Sequence, residues 1–216
     1  MVLKNVASEI LEIKSFDEYK FKGKLVLPEG NSKISKLVIY IKGAGPNTYY
    51  VDFFPEYYSN NGIAFFSYNK RGVYEGDNPS AIKEIKKEEY KTYLPSNCVE
   101  DIFHIIKTIK RIERLKNCTV VLNGWSEGAI IAPLFAKKYP DMLDALILCG
   151  YSNMNMRDLQ KWQCSKIEGG NELLEKCFSA IEEKDDEWLM NNMGLMSEWF
   201  SESIIISQAI MIYCHH

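Results

Sequence analysis

The pentapeptide Gly124-Trp125-Ser126-Glu127-Gly128 carries a hydroxyl whose surroundings suit it to nucleophilic chemistry. It falls between the apolar run CTVVLNG (118–124) and the amphipathic run EGAIIAPLFAKKY (127–139). A strand, a tight turn and a helix in that order lift the serine clear of a sheet. Glycines at 124 and 128 let the two backbones pass close to the turn. The first N–H groups of a helix have no intrahelical partners, and with the macrodipole they favour negative charge. Attack by a serine oxygen on an acyl carbon puts such a charge on the substrate oxygen, and the Glu127 N–H is one natural donor to it. Alone, the pentapeptide is a weak signal.

A second donor is expected from the loop after the apolar run KLVIYIKG (36–43), which reads KGAGPNTYY over 42–50. Gly43 and Gly45 flank Ala44 and allow its N–H to turn inward, while Pro46 stiffens the exit. Taken alone this is an ordinary Gly/Pro turn. Paired in the right order with the serine turn, it becomes a candidate oxyanion-hole loop.

The base that would activate Ser126 is harder to place, and without one a serine hydroxyl is a poor nucleophile at neutral pH. The histidines are His104, His215 and His216. At about 100° per residue, His104 shares a helix face with Glu100, Lys107, Thr108 and Arg111, and it reads as solvated. His215 and His216 are the last two residues. Asp158, Glu182, Asp185 and Asp186 sit in charged or helical runs and read as solvated faces. Base and acid are therefore unassigned. No residue cluster has metal-ligand spacing, and no cofactor is implied.

Three segments together resemble the α/β-hydrolase family: KGAGP (42–46), YNKRGVYEGDNPS (68–80) and NGWSEGAIIAP (123–133). They are similar to its HGxGP-type oxyanion loop, its DxRGxGxS-type loop and its GxSxGG/A elbow. The likeness covers about residues 9–150 and is nearest to serine esterases and acyl-peptidase-like hydrolases with a helical insertion. The resemblance implies Ser126 as nucleophile, with the backbone N–H groups of Ala44 and Glu127 as oxyanion hole. The expected function is cleavage of acyl compounds, carboxylic esters first, through an acyl-serine intermediate. Lys42 stands where the family often has His, and Asn69 where it often has Asp; Arg71 is kept and is expected to order its loop. In the family an Asp or Glu and then a His follow the serine. QAIMIYCHH (208–216) resembles the strand that precedes the acid. Three readings stay open: a longer hydrolase lacking its last strands here, a chain that borrows a histidine from its terminus or a partner subunit, and a non-catalytic binding or interaction protein. Thioester and peptide cleavage use the same parts.

The elements that must position these residues follow from periodicity. EILEIKS (9–15) and EYKFKGKLVLPE (18–29) alternate apolar and polar residues, as in an antiparallel hairpin at a sheet edge. KLVIYIKG, GIAFFSYN (62–69), CTVVLNG and DALILCG (144–150) are continuous apolar runs, as in strands covered on both faces. DFFPEYYSNNG (52–62) predicts a short helix. Val99, Ile102, Phe103, Ile106 and Ile109 mark a longer one, with Asn97 and Glu100 in capping-box spacing. Pro133 is expected to bend the helix after Ser126. The fold class is α/β, a doubly wound and mainly parallel sheet. Residues 1–150 form the core and 151–200 a Met- and Trp-bearing helical insertion, read either as helices packing a core or as a lid or cap over the site. Residues 201–216 carry a last strand whose unpaired edge could form a homodimer.

Composition permits this. With 216 residues, 46% apolar and 25% charged, the chain can bury a substantial core. Its net charge of −3 favours neither nucleic acid nor anionic membrane; the resemblance implies a small-molecule acyl substrate as the expected partner. The opening MVLKNVASEILEIKS has no apolar core of signal-peptide length. Six scattered cysteines with no CxxC pair suggest free thiols in a reducing, cytoplasmic setting.

Overall fold

The structure, a computed structural model, describes residues 7–30, 33–152, 154, 156–185, 187–188 and 191–192. The last strand expected near the C-terminus, His215, His216 and Asp186 lie outside the described residues.

The alternating segments pair first. β1 (Ala7–Lys14) and β2 (Lys20–Leu27) form an antiparallel hairpin with Ile13 opposite Phe21. β3 (Lys36–Ile41) leads through the loop 42–52 into α1 (Phe53–Asn60) and then β4 (Ala64–Tyr68). All five residues of β4 are buried, as a strand covered on both faces requires, and its one polar side chain, Ser67, donates to the Tyr49 carbonyl at 2.5 Å. Residues 69–94 fold into a small antiparallel ribbon, β5 (Val73–Glu75) with β6 (Ile82–Ile85), and one short turn of helix, α2 (Lys87–Tyr90). The expected elements did not include this ribbon.

α3 (Pro95–Ile109) buries Val99, Ile102, Ile105, Ile106 and Ile109. It corrects the capping-box expectation. The helix begins two residues before Asn97, with Leu94 in the cap position and Pro95 as its first residue. Proline's fixed φ and missing N–H suit that place, and Asn97 instead donates its side-chain amide to the Thr92 carbonyl at 2.9 Å. β7 (Thr119–Trp125) then runs into α4 (Glu127–Lys138), which passes Pro133 without a break in its helical span, and β8 (Ala145–Cys149) follows.

The six-stranded sheet has the order β1-β2-β4-β3-β7-β8. β4, β3, β7 and β8 are parallel and β1–β2 joins antiparallel, so the sheet is mixed and mainly parallel. Stepping from β3 outward to β4 and then back across to β7 reverses the winding direction. In parallel sheets a crevice opens at the carboxyl ends of strands at such a reversal. Both the loop after β3 and the turn after β7 leave from that end.

Two compact units divide the chain at Tyr151/Ser152. The first holds the sheet. In the second, α5 (Met156–Cys164) and α6 (Gly170–Glu183) enclose a small core of Cys164, Leu174, Cys177 and Phe178. Among the described residues no helix is long and apolar enough to cross a membrane. The five described cysteines are free thiols.

Candidate active site

Ser126 sits between β7 and α4 with φ 52° and ψ −112°. A non-glycine residue held there costs about 1–3 kcal/mol and persists only where its surroundings enforce it. Here they do. The Ser126 N–H donates to the Cys149 carbonyl at the end of β8 (2.7 Å), and the Ser126 carbonyl accepts from the Ala129 N–H (2.9 Å). A Cβ on Gly124 would stand 2.2 Å from the Gly128 carbonyl oxygen, and one on Gly128 would stand 2.1 Å from that of Ile41. Only glycine fits at either position. The pentapeptide is thus a steric solution to a strand and a helix crossing in contact.

Ser126 itself is half-buried, and Trp125 beside it is 47% exposed. The loop after β3 arrives next to it: a Cβ on Gly43 would lie 3.3 Å from the Ser126 Cβ and 3.2 Å from the Trp125 ring. The two segments that sequence spacing paired do meet. The loop is braced from within. Asn47 donates its side-chain amide to the carbonyls of Gly43 (3.0 Å), Ala44 (3.2 Å) and Gly45 (2.9 Å). Because C=O and N–H point opposite ways in a trans peptide, fixing the Gly43 carbonyl also fixes the Ala44 N–H. Among the described residues no acceptor takes that N–H. Gly45, at φ 87°, supplies the left-handed turn that Asn47 closes.

No family model and no curated protein matches this sequence. Solved structures do match. A thermostable carboxyl esterase from Bacillus coagulans aligns at TM-score 0.58 and 20% identity, over 89% of this chain and 57% of that one. The acylaminoacyl peptidase of Pyrococcus horikoshii aligns at 0.53 and 18%, over 68% of this chain and 23% of that one. The dienelactone hydrolase of Anabaena variabilis aligns at 0.50 and 16%, over 66% and 62%. The chain therefore spans less than two thirds of each of these proteins. This is the α/β-hydrolase fold. In that fold the strand-to-helix turn at Ser126 and the loop at 42–50 occupy the crevice end of the sheet, as the topology alone requires.

Several side chains around the α/β-hydrolase turn had not been assigned a part by sequence. Glu127 was singled out for its N–H, yet its side chain is buried and accepts from Lys70 Nζ at 2.6 Å. The same ammonium donates to the Gly43 carbonyl at 2.6 Å and stands 4.5 Å from the centre of the Tyr93 ring. Burial pulls the Lys70 pKa down, against the pull of Glu127. The only hint in the sequence was opposite charge in two motifs, Lys70 in KRG and Glu127 in WSEG, with no spacing rule to join them.

Lys42, in the position of the family's frequent histidine, turns its amine to the carbonyls of Thr48 and Tyr50 and so closes its own loop. Burial, reinforced by Lys70, pushes this amine down to about 7. Asn69 accepts from the Tyr49 N–H (2.6 Å) and donates to Glu75 (2.6 Å), a double use that an ionised Asp could not make.

Arg71 orders its loop, as expected, but from a buried position. It makes two bonds each to Asp101 (2.8 and 2.7 Å) and to Asp17 (2.6 and 3.0 Å). His104 is not fully solvated: it is half-buried and edge-on to Phe103, with ring centres 5.5 Å apart. Among the described residues no side chain bonds the Ser126 hydroxyl, and no cluster of three His, Cys, Asp or Glu could hold a metal.

Proposed function

We propose that this chain is a serine hydrolase of acyl compounds, carboxylic esters first, with Ser126 as nucleophile. The observation that carries the proposal is the enforced φ of 52° at a half-buried serine, in contact with a glycine loop whose Ala44 N–H meets no acceptor among the described residues. Strain of this kind concentrates where a side chain must be presented in one direction. The Ser126 oxygen would bond to the acyl carbon while the carbonyl π pair moves onto oxygen. The N–H groups of Ala44 and Glu127 would stabilise that oxyanion. Its collapse expels the alcohol, which leaves with a proton, and water then cleaves the acyl-serine to return the free hydroxyl. The exposed indole of Trp125 beside Gly43 supports a hydrophobic acyl or alcohol group.

A fluorophosphonate probe tests this directly. The serine oxygen displaces fluoride at phosphorus and keeps the label. The expected result is stoichiometric labelling of the full chain that vanishes in Ser126→Ala. The second reading, a binding protein that keeps the fold without turnover, draws on His104 being engaged with Phe103 on α3. Absence of labelling in a well-folded sample would select it.

A further inference from the structure

Lys70 and Glu127 form a buried ion pair, an arrangement that is by itself weak evidence for a role in stability. Both side chains are almost fully enclosed, at 2% and 5% exposure. Replacing such a pair by apolar side chains of similar volume is often neutral or stabilising. What the pair does accomplish is geometric. It ties together three chain segments far apart in sequence: the exit of β4, the glycine loop after β3, and the first residue of α4.

The geometry points to Lys70 and Glu127 as a positioning pair that holds the two amides of the oxyanion hole, Ala44 and Glu127, in fixed register; the inference rests on the reading of Ser126 as nucleophile. Each amide belongs to a segment that Lys70 grips. On one side it takes the Gly43 carbonyl, whose peptide partner is the Ala44 N–H. On the other it takes the side chain of the residue whose N–H is the second donor. The Lys70 N–H adds a further bond to the Asn47 carbonyl at 2.9 Å. The loop needs such a grip, because glycine lets a peptide plane rotate at little cost and Gly43 and Gly45 flank the Ala44 donor. A rotated 43–44 peptide would present a carbonyl oxygen where an N–H is wanted. Oxyanion donors act only within about 2.7–3.1 Å of the developing charge, so small rotations matter.

The test uses the full chain with Lys70→Met and, separately, Glu127→Gln, which keeps an uncharged acceptor. Two readouts are taken: the fluorophosphonate inactivation rate split into kinact and Ki, and amide hydrogen exchange of residues 42–47 against α3. In Lys70→Met, kinact should fall roughly 10- to 100-fold with Ki within about twofold. Exchange of 42–47 should rise by about tenfold while α3 keeps its protection. Glu127→Gln should move both in the same direction by less. Wild-type kinact in both folded variants, or unchanged exchange at 42–47, overturns the inference. If the wild-type chain takes no label, the reading of Ser126 fails, and the exchange measurement still decides whether Lys70 holds the loop. If Lys70→Met loses α3 protection as well, Glu127→Gln carries the decision.

Discussion

Lys70 and Arg71 are neighbours, both buried and both ion-paired, yet they serve different parts of the molecule. Arg71 uses its planar fork twice, on Asp101 of α3 and on Asp17 in the turn between β1 and β2. Ser15 and Thr92 each lie 3.3 Å from its nitrogens, and the rings of Phe16 and Tyr19 stand 5.4 and 4.9 Å from its guanidinium carbon. Burial alone would lower its pKa, but Asp101 and Asp17 outweigh it and hold the group above its ordinary value. Lys70 has one carboxylate, one carbonyl and one ring face. Delocalised charge with matched acceptors welds an edge hairpin to a helix. A compact ammonium holds a loop at a set distance from a turn. One residue secures the fold and the next secures the crevice.

Breaking the Arg71 hub should give the largest effect. Arg71→Met leaves the Asp101 carboxylate buried without its cation, a loss of about 3–5 kcal/mol. For a chain of this size that corresponds to a drop of roughly 8–16 °C in Tm by circular dichroism. Asp101→Asn should cost less, because Asp17 still neutralises the guanidinium. A variant lacking Arg71 that melts within about 2 °C of wild type would erase the contrast.

The Lys70 pair should behave differently under double substitution. Lys70→Met alone strands Glu127 and should lower stability by about 3 kcal/mol. Lys70→Met/Glu127→Met removes both charges and should return stability to within about 1 kcal/mol of wild type. Fluorophosphonate reactivity should stay low in the double variant, because the loop has lost its tie. Recovery of stability and reactivity together would mean that packing, not the ion pair, sets the crevice. The Arg71 hub offers no such escape, since two carboxylates share one cation.

The sheet was legible in the sequence where it is covered on both faces. Leu37–Ile41 and Val120–Leu122 are apolar without a gap, Ala64–Tyr68 is interrupted only by Ser67, and local composition suffices to place such strands. The serine turn was legible because Gly124 answers to the Gly128 carbonyl four residues on, although Gly128 answers to Ile41 on β3, a contact that no local pattern encodes. The start of α3 was misplaced because two local signals competed: Asn97 has the capping side chain, but Pro95 begins the helix without needing one. Asp101 was a missed clue, a carboxylate set in the apolar stripe of α3 that needed a buried cation. Lys70 and Glu127 meet across 57 residues of separation, and no periodicity encodes such a contact. Sequence pattern reports what each segment buries, whereas these pairs depend on which segments the topology brings together.

Lys42 sharpens the contrast further, with the smallest expected effect. Unlike its neighbours in this crevice it has no carboxylate, only the carbonyls of Thr48 and Tyr50. Burial and the nearby Lys70 push its amine down to about 7 from an ordinary 10.5. Between those two values the unfolded chain binds a proton that the folded chain does not, so stability rises with pH across that window. Below about 7 both states are charged at this group, and the full cost of the buried ammonium is present. Lys42→Met removes the titration and the cost together. Its Tm relative to wild type should therefore be most favourable near pH 6, with the difference shifting toward wild type by about 2–4 °C as pH is raised to 10. Solvent reaching the part-exposed amine keeps the effect this small. A Tm difference that stays flat from pH 6 to 10 would mean that Lys42 is held by its carbonyls as a stable cation, and that the crevice bears three buried charges rather than one balanced pair and one labile amine.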